Sequence, residues 1–140
     1  MPTKLTAVAL VVLSALALAA CGNPKKKDQA ATNDSTATPI QALQEIDYVR
    51  KDLLRVTNEV AEGSRGTAVE IAKETYVQHF EKVEKPLDKV DHELNEKLEE
   101  GLRDKLPKMI KSGKSKSAIG KFAQRLDTDL AAAQEQLKER

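Results

Sequence analysis

Aliphatic residues recur at intervals of three and four along most of this 140-residue chain, and this spacing restricts what the chain can fold into. It places apolar side chains along one face of an α-helix, whereas a half-buried strand would alternate every second residue. Four segments carry the helical pattern, and we predict no strand. The core must be aliphatic because tryptophan is absent and there are only two phenylalanines and two tyrosines.

The sequence Thr38-Pro39-Ile40-Gln41 predicts the start of the first helix. Threonine is a favourable N-cap, proline suits the first helical position, and glutamine three residues after the cap completes a capping box. Gly63 predicts the end of this helix, because glycine tolerates the left-handed conformation that closes many helices. The apolar stripe of the first helix consists of Ile40, Leu43, Ile46, Val49, Leu53, Val56 and Val60.

Prolines mark the next two predicted helices. Pro86 predicts a kink or an end near Lys85, because proline removes a backbone hydrogen bond and clashes with the preceding turn. Pro107 lies near the end of the third helix. The second helix carries Val69, Ala72, Tyr76, Phe80, Val83 and Leu87. The third carries Val90, Leu94, Leu98, Leu102 and Leu106, at intervals of four.

The last helix follows a predicted loop at residues 111–117. Its apolar residues are Ile119, Phe122, Leu126, Leu130, Ala133 and Leu137. Four amphipathic helices joined by short turns predict an all-α antiparallel bundle. We assign this single domain to residues 39–140, about 100 residues, which is enough for one modest core.

An uncharged run from Leu5 ends at Leu18-Ala19-Ala20-Cys21 and follows the positive Lys4. The sixteen residues from Leu5 to Ala20 are fewer than the roughly 20 needed to span a bilayer, and they suit a secretory signal peptide. The last four residues resemble the bacterial lipobox. This resemblance implies cleavage of residues 1–20 and a lipid on Cys21. The alternative is an uncleaved amino-terminal anchor, which would reach the same side of the membrane.

Residues 21–38 are expected to connect the lipid to the bundle. Three lysines and a run of small polar residues predict a flexible linker. Cys21 is the only cysteine, and the lipid would consume it, so we expect no disulfide and no thiol chemistry. The lipobox resemblance implies a membrane-anchored lipoprotein facing the periplasm or cell exterior. Gly22 after the cysteine slightly favours the outer membrane in a bacterium with two membranes.

Catalysis and nucleic-acid binding are not expected. The chain has no glycine-rich phosphate loop, nucleophile elbow, HExxH helix or CxxC pair. After the signal peptide the chain has 22 basic and 22 acidic residues, a balance that does not favour a nucleic-acid partner. We interpret His79 as a histidine on the flank of its helix beside Phe80, with no metal role.

Asp88, His92 and Glu96 follow one another at i,i+4 spacing and form a candidate metal site. On a helix these positions share a face, which would also carry Glu84 and Glu99. Carboxylate oxygens and an imidazole nitrogen suit iron, zinc or manganese. The alternative is a solvated acidic face without metal, because the apolar residues of this region point to the opposite side.

Charge is unevenly distributed along the chain. Residues 81–100 contain eight acidic residues and four lysines, whereas residues 101–121 contain seven basic residues and one acidic residue. This predicts an electrically polarised molecule. The alternative is that cations gather at the end of the third helix because the helix dipole favours them there.

The block from Tyr76 to Leu87, followed by Asp91, Leu94 and Leu98-Glu99, resembles the periplasmic helical domain attached to bacterial high-affinity iron permeases. The resemblance implies a lipid-tethered accessory domain that binds, holds or hands over iron, or docks on a permease. The chain is not itself the permease, because it lacks the RExxE motif and a membrane span after the signal peptide. The other function class is a non-enzymatic envelope adaptor or structural lipoprotein that binds another protein without metal.

Overall fold

A computed structural model of the chain describes residues 37–139, which contain helices and turns and no strand. The all-α prediction is confirmed. The predicted signal peptide at residues 1–20, the lipidation site Cys21 and nearly all of the linker lie outside the described residues. No helix within residues 37–139 is long and apolar enough to cross a membrane.

The described residues form four continuous helical stretches, which we call rods. The first rod is α1 (Pro39–Glu62). The second consists of α2 (Arg65–Thr75), the π-helix π1 (Tyr76–Phe80) and α3 (Glu81–Asp88). The third consists of α4 (His92–Glu100), the π-helix π2 (Gly101–Lys105) and α5 (Leu106–Lys111). The fourth is α6 (Lys116–Lys138).

Both ends of α1 form as the sequence predicts. The Thr38 hydroxyl accepts a hydrogen bond from the Gln41 backbone at 3.2 Å, and the Gln41 side chain accepts one from the Thr38 backbone at 2.8 Å. At the other end Gly63 has a φ of 94°, in the left-handed region that glycine adopts without strain. Asp91 and Ser115 cap the third and fourth rods with their side chains.

Between neighbouring rods, the residue numbers of contacting pairs rise along one rod while they fall along the other, so the bundle is antiparallel. They are Asp52–Thr75 and Glu45–Lys82 between the first and second rods, Arg65–Ile110 and Tyr76–Arg103 between the second and third, Lys97–Asp129 and Gly101–Leu126 between the third and fourth, and Arg50–Asp127 and Ala61–Lys116 between the fourth and first. Each rod therefore contacts the next, and the fourth closes the ring against the first.

The two π-helices lie where apolar residues repeat at intervals of four. Four residues of α-helix turn through about 400°, so successive steps of four drift about 40° around the helix. A π turn contains more residues than an α turn, so it compensates for this drift and keeps the apolar residues facing the core. The buried residues that it aligns are Ala72, Tyr76 and Phe80 in the second rod and Leu98, Leu102 and Leu106 in the third.

Several details differ from the sequence prediction. The loop predicted at residues 111–117 comprises only residues 112–115, because α5 ends at Lys111 and α6 begins at Lys116. Of the kink or end predicted near Lys85, the end does not occur: the second rod continues through Pro86 to Asp88, and the burial of Val83 and Leu87 holds that last turn against the core. Val90 lies in the turn before the third rod. Ile40 is 71% exposed because Ala42 faces the core in its place, about 200° further around the helix.

Candidate functional site

The structure brings the three predicted metal ligands together. His92 Nδ1 lies 2.6 Å from Asp88 Oδ1, and His92 Nε2 lies 3.4 Å from Glu96 Oε1. Asp88 ends the second rod and His92 begins the third, so a turn joins them rather than one continuous helix. All three side chains are at least half exposed, at 50% for Asp88, 65% for His92 and 67% for Glu96.

This arrangement favours a protonated imidazole. The hydrogen bond with Asp88 and the charge of Glu96 raise the pKa of His92 above its ordinary value. A protonated histidine has hydrogens on both nitrogens and cannot bind a metal. Within residues 37–139, no group of three or more His, Cys, Asp and Glu side chains has a geometry that could hold a metal ion. Metal binding at Asp88, His92 and Glu96 stays a prediction, and it requires loss of the histidine proton and rotation of the side chains.

His79 lies at the contact between the first and second rods. Its Nδ1 is 2.6 Å from Glu45 Oε2, and Lys82 Nζ is 2.9 Å from Glu45 Oε1. The Tyr48 ring stacks on the imidazole with centroids 5.0 Å apart. Burial alone would raise the pKa of Glu45, but the hydrogen bonds with His79 and Lys82 outweigh it, and the pKa is lowered. His79 therefore ties π1 to α1.

A second polar cluster lies between the second and third rods, where Tyr76 of π1 meets Arg103 of π2. We call it the Tyr76 cluster, and it consists of Tyr76, Glu84, Glu99 and Arg103. The Tyr76 hydroxyl donates to Glu84 Oε1 at 2.6 Å. Arg103 pairs with Glu99, and its guanidinium carbon is 5.9 Å from the Tyr76 ring centroid. The cluster connects the second rod to the third.

The π1 segment creates the contact between Tyr76 and Glu84. Residues eight apart on an α-helix are separated by about 80° around the axis, whereas residues seven apart are nearly aligned. Because the π turn accommodates one extra residue, Tyr76 and Glu84 are aligned as residues seven apart would be. The spacing of an ordinary α-helix therefore does not predict that Tyr76 and Glu84 meet. The available sequence signals were the intervals of four around Tyr76 and the presence of both residues in the block that resembles iron-permease domains.

Ionisation of Glu84 is less favourable in this environment than for an ordinary glutamate. Burial raises the pKa of Glu84, and the charges of Glu99 and Glu81 raise it further, against the hydrogen bond from Tyr76 and the charge of Arg103. Burial and the interaction with Glu84 also raise the pKa of Tyr76. The Tyr76 cluster thus combines a carboxyl group of raised pKa with a permanently charged guanidinium.

Charge separates along the bundle axis. One half, residues 51–75 and 101–127, carries twelve Lys and Arg residues against seven Asp and Glu residues. The other half, residues 39–50, 76–100 and 128–139, carries six basic and thirteen acidic residues. We call these halves the basic end and the acidic end. The helix dipole does not account for the basic end, because Lys116 and Lys121 lie near the N-terminus of α6, where the dipole disfavours cations.

No protein-family model, curated protein or solved structure matches this chain. The resemblance to the domain of iron permeases therefore rests on the block from Tyr76 to Leu87 and on Asp91, Leu94 and Leu98-Glu99.

Proposed function

We propose that this chain is a lipid-tethered accessory protein that works outside the cytoplasm and presents its helical bundle to a partner. The observation that carries the proposal is the separation of charge, with twelve basic against seven acidic residues at one end and six against thirteen at the other. Complementary charge steers and orients protein association. The signal-like residues 1–20 and Cys21 support export and anchoring.

The tether is tested by replacing the only cysteine. Cys21→Ser should release the protein from membranes or leave an unprocessed precursor, because the serine hydroxyl cannot form the thioether. Ser35→Ala, in the linker, is the matched control and should remain in the membrane fraction. Mass spectrometry of the wild-type protein should find acyl chains on an amino-terminal Cys21. A wild-type protein that retains residues 1–20 without a lipid would contradict the proposal.

Iron handling is the second candidate function. Two observations favour it: His92 lies between Asp88 and Glu96, and the block from Tyr76 to Leu87 resembles a domain attached to iron permeases. In this form of the proposal the three side chains rotate to hold one cation, or the acidic end docks on a permease. Because His92 must lose its proton to ligate and its pKa is raised above the ordinary value of 6.5, binding should weaken as the pH falls through that raised pKa.

Calorimetric titration with Fe(II) and with Zn(II) at neutral pH tests the metal role. We expect His92→Ala to weaken binding at least about tenfold, a loss typical of changes in metal coordination. His79→Ala removes the other histidine of the chain and should leave the isotherm unchanged. Identical isotherms for wild type and His92→Ala, or no heat at all, would remove the metal role and leave partner binding.

A further inference from the structure

Two open grooves flank α5 at the basic end. The cationic groove is lined by Lys73, Arg103, Asp104, Pro107, Lys108, Lys111 and Ser112. The apolar groove is lined by Lys105, Lys108, Met109, Ser112, Lys114 and Phe122. Lys108 and Ser112 line both grooves, so the two form one continuous surface around α5.

Three lysines of the cationic groove are available to an anion. Arg103 is already engaged, because it pairs with Glu99 and with Asp104, the latter at 3.1 Å. Lys73, Lys108 and Lys111 pair with no acidic residue in the part of the chain that the structure describes. A lysine ammonium is a compact charge with three donors and binds phosphate as a point charge. The groove therefore matches phosphate groups.

The neighbouring groove points to phosphate carried on a lipid. Met109 and Phe122, both partly buried, form an apolar floor, and Lys105, Lys108 and Lys114 surround it. Lysines around exposed apolar groups suit the boundary between lipid headgroups and acyl chains. A free inorganic anion would gain nothing from the apolar floor.

We propose that the basic end binds anionic phospholipid headgroups, with Lys73, Lys108 and Lys111 on the phosphates and Met109 and Phe122 at the interface. The membrane that holds the lipid anchor is within reach. Sixteen residue steps separate Cys21 from Ala37 and span at most about 55 Å when extended, while α1, with 24 residues, is about 36 Å long. The choice of this particular membrane rests on the proposed tether. The ability of the grooves to bind anionic phospholipid does not depend on the tether.

Binding to phosphatidylcholine vesicles, with and without phosphatidylglycerol, tests the surface. The full chain carries Cys21→Ser throughout, so that no acyl chain contributes and failure of this proposal is distinct from failure of the tether. Residues 1–20 are present in every variant, so differences between variants report the grooves. We expect the anionic vesicles to bind more tightly at about 0.1 M salt. Changing Lys73, Lys108 and Lys111 together to Gln should weaken that binding at least about tenfold, since each lysine near an anionic membrane surface adds to the attraction.

The matched control changes Lys51, Lys89 and Lys138 to Gln, which removes the same charge away from the grooves. It should keep nearly wild-type binding, and changing the three groove lysines to Arg should restore binding. Circular dichroism confirms that each variant keeps its helices. Equal losses in the groove and control variants, or no preference for anionic vesicles, would overturn the proposal. Displacement by inorganic phosphate at constant ionic strength would reassign the site to free phosphate. Equally tight binding to polyglutamate would reassign it to an acidic protein.

Discussion

Glu84 accepts a hydrogen bond from Tyr76 while two other carboxylates, Glu81 and Glu99, oppose its ionisation. The balance of these interactions depends on whether Glu84 is protonated. When Glu84 is neutral, burial carries little electrostatic penalty, and when it is ionised only Tyr76 and Arg103 compensate. A single side chain thus links the stability of the contact between the second and third rods to pH.

Glu84→Gln should therefore change how stability depends on pH. The pKa of Glu84 is raised in the folded state above its ordinary value of 4.5, so the folded state holds the proton more tightly than the unfolded state. The stabilisation from Glu84 is fully present below about pH 4.5 and is lost as pH rises through the folded-state pKa. Glutamine keeps the acceptor for Tyr76 without ionising. Urea unfolding between about pH 4 and 7 should show the variant gaining stability relative to wild type as pH rises.

Tyr76→Phe provides the complementary measurement. It removes the donor that stabilises ionised Glu84, so the loss of stability with rising pH should become steeper than in wild type. Parallel pH profiles for wild type, Glu84→Gln and Tyr76→Phe would show that Glu84 does not titrate differently in the folded protein.

At the scale of elements, the third and fourth rods are in close contact at Gly101, in π2. A Cβ atom added there would lie 2.5 Å from Leu126 Cδ2, and Leu126 is only 3% exposed. Gly120, in α6, has no atom within 4 Å of the same added position. A side chain at Gly101 would therefore clash with Leu126, whereas Gly120 has space for one.

This difference predicts opposite effects of the same substitution. Gly120→Ala should stabilise the protein by about 0.5–1 kcal/mol, the usual advantage of alanine inside a helix. Gly101→Ala should destabilise it by about 1 kcal/mol, because displacing Leu126 in a packed core costs about 1–3 kcal/mol and exceeds the helical gain. Denaturant unfolding under one set of conditions measures both. Equal stabilisation by the two changes would mean that Leu126 moves aside freely and that the rods are not closely packed at Gly101.

The sequence predicted those elements whose signals are local. Thr38 and Gly63 bound α1 through contacts within three or four residues. Asp88, His92 and Glu96 do lie side by side, but a turn brings Asp88 to His92, and not the shared helical face that the spacing assumed. The π-helices were not predicted, because steps of four were interpreted as an ordinary helix. Pro86 was expected to kink or end its helix near Lys85. The helix does not end there, because burial of the flanking Val83 and Leu87 outweighs the local penalty.

The Tyr76 cluster was missed for a different reason. Tyr76 and Glu84 meet through the extra residue of π1, and Glu99 and Arg103 come from the neighbouring rod. Tertiary pairing of this kind is not encoded in the spacing within one helix.

For the whole molecule, chain order determines where the charges lie. The sequence predicted polarity from acidic residues 81–100 and basic residues 101–121, but not its direction in space. The antiparallel order places residues 101–127 beside residues 51–75, so the change of sign along the third rod becomes a difference between the two ends of the bundle. The proposed lipid contact uses the basic end, and the candidate metal ligands lie at the acidic end.

The closed order of the rods also predicts cooperative unfolding. Every buried apolar residue of the described core lies between Ala42 and Leu137, so a chain that starts at residue 37 should keep the full bundle. Each rod buries its stripe against both neighbours, and the loss of one rod would expose two others. Thermal unfolding of this shortened chain, followed by far-UV circular dichroism and by tyrosine fluorescence from Tyr48 and Tyr76, should give one coincident transition. Separate transitions, or a loss of helical signal on shortening, would mean that residues 1–36 contribute to the core or that the rods unfold independently.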